Sequence, residues 1–276
     1  MFFIVKYFMK LIFYIFYKIV KFINKKSYKS IKILNKNIFF FIPNSLTKWR
    51  VDTFFSKEPE TLEWIDSFKS ENRIIFWDIG GNIGLYSIYA SLKYKNIEVI
   101  AFEPSMNNLR ILSRNISINK LENKIKICQF PLTNVINSFL LMKESGFEEG
   151  SALNSFGVNY NYNKNIYTSN YQYKIYGTSI NYLLDANILK MPNYIKIDVD
   201  GIEDLILEGA DKYLINPKLK SLSIEINENF PKQKNKILDI MNKNKFKIFN
   251  KKNNFKNFND EKSEEFINTF NYIFIR

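Results

Sequence analysis

Two rhythms of apolar residues alternate along most of the chain. From Arg73 onward, short runs of consecutive apolar residues give way to stretches in which apolar positions return every three or four residues. Ile74–Ile79 reads as a buried strand, closed by Gly80-Gly81-Asn82-Ile83-Gly84 and followed by a helix from Leu85 to about Lys93. Glu98–Phe102 is a second strand, and Pro104 leads into a helix ending near Asn119. Lys124–Phe130 is a third. Tyr194–Val199 and Lys220–Ile226 renew the pattern, with helices at about Ile202–Leu214 and Gln233–Lys243. Phe246–Asn250 and Phe270–Ile275 complete it, joined by a loop too short for a helical crossover, which predicts an antiparallel terminal strand. Such alternation predicts an α/β fold, a mostly parallel sheet of seven strands with helices on both faces.

The flanking pattern is less regular. Ile38 to Ile42, closed by Pro43, reads as a short strand. Glu58-Pro59-Glu60-Thr61 opens a helix reaching about Phe68, with proline and acids in the first turn, where free N–H groups and the helix dipole favour them. Residues 133–179 are rich in Asn, Tyr and Gly and hold no single period. Strands at Val135–Met142 and Tyr173–Tyr176 are expected there, around a mobile loop at 144–170.

Residues 2–23 are almost wholly apolar or aromatic apart from Lys6, Lys10, Lys18 and Lys21. On a helix these lysines fall within about 120° of arc, opposite a broad apolar face. A transmembrane span would hold Lys10 near mid-bilayer, at about 2.5–3.5 kcal/mol on insertion scales. A signal peptide needs an uncharged apolar run and a small-residue cleavage site, and neither is present. Three readings stay open: a helix lying in a membrane surface with its lysines at the headgroups, an amphipathic helix packed on its own domain, and a true span, which the lysines make the least favourable. The chain thus divides into a basic, aromatic segment, 1–49, and an α/β domain, 50–276.

Composition sharpens this division. The net charge of +13 suggests nucleic acid as a partner. Residues 1–50, however, hold eleven basic residues and no acid, and the other 226 carry a net charge of only +2. A further lysine-rich stretch lies at 231–262. The sequence contains no histidine and a single cysteine, Cys128, which excludes Ser-His-Asp and Cys-His relays, histidine-ligated metals and intrachain disulfides.

In an open parallel sheet, ligands bind at the carboxyl ends of the strands. Gly80, Gly81 and Gly84, following a buried strand, let the backbone turn tightly and approach a ligand, and the next helix presents free N–H groups. The dinucleotide spacing G-x-G-x-x-G is not met, because Asn82 and Leu85 stand where it needs glycine. A smaller zwitterionic or nucleoside ligand fits better, with Asp78 suited to an ammonium group. Glu103 ends the second strand, 25 residues after Asp78, where a carboxylate accepts both hydroxyls of a ribose.

Several segments together resemble the FkbM family of S-adenosylmethionine-dependent methyltransferases. They are Glu58–Thr61, Asp78–Gly84, Val99–Pro104, Tyr194–Gly201 with Glu203, Glu208-Gly209-Ala210 and Ser223–Ile226. The resemblance spans roughly residues 50–230 and implies a Rossmann-like methyltransferase fold with S-adenosylmethionine as cofactor. Asp78, Gly80, Asn82 and Gly84 would hold its methionine end, Glu103 its ribose, and the region of Pro131 and Leu132 its adenine. Members act mainly as O-methyltransferases, which implies a hydroxyl acceptor, here read as a sugar of a surface or lipid-linked glycan at the inner face of the membrane. The alternative is an RNA-directed methyltransferase or a basic nucleic-acid-binding protein. Asp200 departs from the family, which usually has Glu there.

Methyl transfer to a hydroxyl needs a proton acceptor, and without histidine a carboxylate, Lys, Tyr or metal-bound hydroxyl must serve. Asp198, Asp200, Glu203 and Lys196, at the end of the fourth strand, are the candidates. A strand would point Asp198 and Asp200 to one face. Two further readings stay open: capping of the following helix by the three acids, and a divalent cation held with Glu225 and Asn227. Tyr160, Tyr162, Tyr167, Tyr171 and Tyr173 would let the 144–170 loop stack on sugar faces, unless that loop is a surface insertion.

Overall fold

A computed structural model describes residues 9–18, 27–69, 73–253 and 268–276. Helix α1 occupies residues 9–18; the rest of the 2–23 stretch, and residues 254–262 of the lysine-rich stretch, lie outside the described residues. Next comes an antiparallel hairpin, β1 (Tyr28–Ile33) and β2 (Lys36–Phe41), turning at Leu34 and Asn35, both with positive φ. Two successive left-handed residues match the twist of a tight hairpin. The sequence pattern missed β1, whose apolar positions are interrupted by Lys29, Ser30 and Lys32.

Three helices follow: α2 (Ser45–Asp52), α3 (Phe54–Lys57) and α4 (Pro59–Asp66). Asn44 caps α2 by accepting from the Thr47 N–H at 2.8 Å. The alternating body then runs β3 (Ile74–Ile79), α5 (Leu85–Lys93), β4 (Ile97–Phe102), α6 (Met106–Ile118) and β5 (Ile125–Cys128). A separate antiparallel sheet, β6 (Ser138–Glu144), β7 (Ser155–Phe156) and β8 (Tyr171–Gly177), is followed by α7 (Ile180–Asp185). The body resumes with β9 (Tyr194–Ile197), α8 (Glu203–Glu208), β10 (Ser221–Asn227), α9 (Pro231–Lys243), β11 (Lys247–Lys252) and β12 (Thr269–Ile275).

The main sheet has seven strands in the order β11-β12-β10-β9-β3-β4-β5. Neighbours from β10 to β5 pair in parallel, whereas β12 runs antiparallel to both β10 and β11. The expected antiparallel terminal strand is therefore present, inserted between its two predecessors. Strand alternation sends Phe76 into one apolar core and Trp77 into the other, and both are fully buried. The order reverses between β3 and β9, so the crevice between their carboxyl ends is the ligand position of such sheets.

The hairpin belongs to this body. Its Ile33 and Phe40 share a core with α5 and α6, and the Phe41 N–H donates to Asn115 Oδ1 at 2.8 Å. Helix α8 is shorter than the 202–214 pattern suggested, because the chain turns away at Gly209. A Cβ on Gly209 would stand 2.2 Å from the Thr133 carbonyl oxygen, so only glycine lets α8 meet the 131–134 segment.

Candidate active site

At the end of β3 the chain turns through Gly80, Asn82 and Gly84, all with positive φ. A Cβ on Gly80 would lie 1.8 Å from the Asp198 carbonyl oxygen, and one on Gly84 2.5 Å from Leu112 Cδ1. The first glycine is thus required by main-chain contact with the turn after β9, the second by its own φ of 90°, which L side chains rarely adopt. Asp78 is buried beneath this turn, where Oδ2 accepts from Ser87 Oγ at 2.6 Å and Oδ1 has no partner. Burial raises its pKa against the pull of nearby Lys196.

Glu103 ties the glycine turn to β4. Its Oε2 accepts from the Asn82 N–H at 2.7 Å and its Oε1 from the Ser105 N–H at 2.9 Å. The Asn108 side chain is a third partner, and the carboxylate keeps one acceptor site open. Burial lifts its pKa to about 7 although both amides oppose the shift. Glu103 faces a cavity of about 390 Å³ whose wall also includes Gly80, Asn82, Phe130, Leu132, Asp198 and Asp200. Five of the residues assigned to sequence motifs therefore meet there with Leu132, although they come from separate parts of the chain.

The turn after β9 differs from the strand expected through Val199. β9 ends at Ile197, and Asp200 adopts φ 63° in a left-handed turn, so Asp198 and Asp200 do not share a strand face. Asp198 accepts from Lys196 Nζ at 2.6 Å. Lys196 is 2% exposed and stands opposite Asp78 in the β3–β9 ladder. Burial opposes its charge, but Asp198, Asp78 and Glu58 outweigh that cost and hold it protonated beyond the usual lysine range. Asp200 accepts from the backbone N–H groups of Leu153 and Asn154 at 2.7 and 3.2 Å. Burial and the charge of Asp198 raise its pKa to about 6. Glu203 lies under the turn, accepting from the Gly201 N–H at 3.0 Å and from Gln233 Nε2 at 3.1 Å, and burial lifts it to about 7. It supports the turn and is absent from the cavity wall.

Glu225 reaches the cavity from β10, where burial together with Asp198 and Glu58 pushes its pKa well above the carboxylate range. Asn227 is buried and accepts from the Asn229 N–H. Among the described residues no group of three acidic, Cys or His side chains is placed to hold a metal ion. Asp198 is committed to Lys196 and Asp200 to backbone amides, so the divalent-cation reading finds no convergent ligand set.

Residues 144–170 are not a free loop. Part of the segment forms β7, and the stretch before it roofs the cavity through Ser151 to Phe156. Asn82 Nδ2 and Asn108 Nδ2 both donate to the Ser151 carbonyl, at 2.9 and 3.0 Å, and the Gly150 N–H donates to Asn108 Oδ1 at 2.8 Å. The five tyrosines do not line the cavity. Tyr162 is buried and hydrogen-bonds Thr269, while Tyr173 donates to Glu144 Oε1 at 2.9 Å. The aromatic residues on the wall are Trp49, Phe102, Phe130 and Phe156.

Sequence reasoning missed Arg50. Placed in the last turn of α2, it lines the cavity and donates from Nε to the Gly150 carbonyl at 2.5 Å. Glu58, in the family-like Glu-Pro-Glu-Thr stretch, also has a definite place. It accepts from Tyr86 Oη at 2.8 Å and Lys57 Nζ at 2.7 Å; burial opposes its ionisation, but Lys57 and Lys196 bring its pKa down to about 2.

A seven-stranded sheet of this order, with a glycine turn after its first strand and an acid ending the second, defines a Rossmann-like methyltransferase fold. Residues 78–248 match the family described as the methyltransferase FkbM domain. The chain belongs to that family. The methyltransferase sdnD of Sordaria araneosa is 39% identical over 81 residues, which is 29% of this chain and 31% of that protein. The chain thus matches about a third of the length of this curated relative. Among solved structures, a putative rRNA-methylase from Clostridium thermocellum is 9% identical with a TM-score of 0.46, covering 80% of this chain and 95% of its own. Precorrin-6y C5,15-methyltransferase from Geobacter metallireducens is 13% identical with a TM-score of 0.43, covering 79% of this chain and 86% of its own.

Proposed function

We propose that this protein transfers a methyl group from S-adenosylmethionine to a hydroxyl of a sugar in a surface or lipid-linked glycan. The observation that carries the reading is one cavity whose wall holds Gly80, Glu103 and Asp198 together. The residues present fit the cofactor: Gly80 permits close backbone approach, Glu103 keeps acceptor capacity for a diol, and the buried Asn82 Oδ1 has no partner. When bound, the cofactor supplies an electrophilic methyl on a sulfonium. Asp198 then takes the proton from the acceptor hydroxyl, while the 150–156 roof excludes water. Lys196 keeps Asp198 oriented and is itself no proton acceptor.

The cavity charge supports a sugar acceptor over a polyanion. Glu103, Asp198, Asp200 and Glu225 line it against Arg50 and Lys57, and with Glu225 held protonated by burial the wall is close to neutral, which offers a phosphate backbone no basic track. The exposed, apolar and basic α1 suits a membrane surface and so supports a lipid-linked or surface glycan. All described residues of α1 are exposed, with Phe13 67% and Phe16 64% accessible, and Lys10 and Lys18 are available for anionic headgroups. No helix among the described residues is long and apolar enough to cross a membrane. The test is mass spectrometry of glycans from a deletion strain. Loss of one methyl group from a glycan, restored by the wild-type gene but not by Asp198→Asn, is the expected result; unchanged glycans refute the acceptor assignment.

A further inference from the structure

We propose that Arg50 receives the α-carboxylate of the cofactor, so that α2 as well as the glycine turn selects the donor. This rests on the methyl-donor reading above. Arg50 is anchored through Nε to the Gly150 carbonyl, which fixes the direction of the guanidinium. Among the described residues its terminal nitrogens have no hydrogen-bond acceptor and no ion-pair partner, although the side chain lies in a cavity wall. These nitrogens border the cavity and are open to a ligand, and the planar fork of a guanidinium matches a carboxylate.

The position of Arg50 identifies which carboxylate. Arg50 borders both the main cavity and an annex of about 50 Å³ walled by Gly80, Gly81, Leu85, Tyr86 and Asp198. The annex is large enough for the end of an amino-acid chain and too small for a nucleoside. Its anchor, the Gly150 carbonyl, also faces Asn82 Nδ2 at 3.5 Å, and the Asn82 N–H is bound to Glu103. The guanidinium is therefore tied to the glycine turn and the ribose carboxylate. Asp198, Asp200, Glu58 and Glu103 surround Arg50 electrostatically. That field disfavours a bare phosphate but suits a zwitterion, whose carboxylate meets Arg50 while its ammonium faces the acids.

Calorimetry on the full chain tests this with two probes, S-adenosylhomocysteine, which keeps the amino-acid end, and methylthioadenosine, which lacks it. Arg50→Gln is expected to weaken S-adenosylhomocysteine by about 10- to 100-fold and methylthioadenosine by less than about twofold, and Arg50→Lys to recover part of the loss. Equal weakening of both probes, or none, overturns the assignment. Should the Gln variant not fold, the wild-type chain decides with decarboxylated S-adenosylhomocysteine: affinity equal to that of the parent compound overturns it. A wild-type chain that binds neither probe instead removes the methyl-donor reading, and with it this one.

Discussion

Lys196 donates to Asp198 at 2.6 Å across two positions at the end of β9, holding a buried ammonium and the carboxylate beside the cavity as one unit. Asp78 and Glu58 reinforce the charge on Lys196. In the proposed mechanism Asp198 is therefore the proton acceptor of the two, since a lysine held charged by three acids cannot accept one. Asp198→Asn is accordingly expected to lower kcat by about 10²- to 10⁴-fold. Affinity for S-adenosylhomocysteine should change little, and stability should fall by about 1–3 kcal/mol because Lys196 loses its nearest counter-ion. Steady-state kinetics, calorimetry and thermal melting check the three parts, and normal turnover removes Asp198 as the base.

Gly80→Ala sets a Cβ against the Asp198 carbonyl at 1.8 Å, on a backbone with φ 85°. The clash is with main chain, which has no rotamer to relieve it. A stability loss of about 2–4 kcal/mol and loss of cofactor binding are expected. A soluble variant with native melting temperature and affinity would contradict the fit between these turns.

Cofactor affinity should depend on pH through Glu103. Its pKa of about 7 means that the empty site holds a proton below neutrality, while a bound diol and sulfonium favour the ionised form. Affinity is therefore expected to rise from pH 6 to about pH 8, with proton release detectable by calorimetry in buffers of different ionisation enthalpy. Stability runs the other way. Glu103 and Asp200 bind protons more tightly folded than unfolded, so their contribution to stability is greatest at low pH and declines as pH rises through 6 and 7. Glu103→Gln should flatten the upper part of both profiles.

Asp200 pins the cavity roof through the Leu153 and Asn154 N–H groups. Asp200→Gly removes both bonds while keeping a residue that tolerates φ 63°. Proteolysis within 145–156 should quicken by about 5- to 30-fold, matching about 1–2 kcal/mol of lost hydrogen bonding. Asp200→Asn, which retains an acceptor oxygen, should stay close to wild type.

Removing residues 1–26 should release the protein from vesicles containing anionic lipid and leave S-adenosylhomocysteine affinity unchanged. Co-sedimentation reads the first effect and calorimetry the second. Equal sedimentation of both forms would assign any membrane contact to another surface.

The central strands β3, β4, β9 and β10 were legible because they are buried on both faces and read as near-continuous apolar runs. The glycine turn and Glu103 were legible because a turn at a strand end demands particular residue types. Arg50 was not, since its role depends on a carbonyl 100 positions away. The roof was misread for the same reason: Asn82, Asn108 and Asp200 hold it from distant elements, and local periodicity carries no trace of such bonds. Asp200 shows a further limit, because the i, i+2 argument holds only while the chain remains a strand. β9 stops at Ile197, three residues too soon.

β12 follows every strand of the main sheet in the sequence yet lies between two of them. While the chain is being made, β10 therefore waits with an open edge and with Leu222, Ile224 and Ile226 lacking the cover of a neighbour. Residues 269–275 can enter that slot only after β10 and β11 have both been made. The support for β10, and through it for Glu225, is thus the last that the strands of this sheet supply, and a chain held before Thr269 would present that edge to its neighbours.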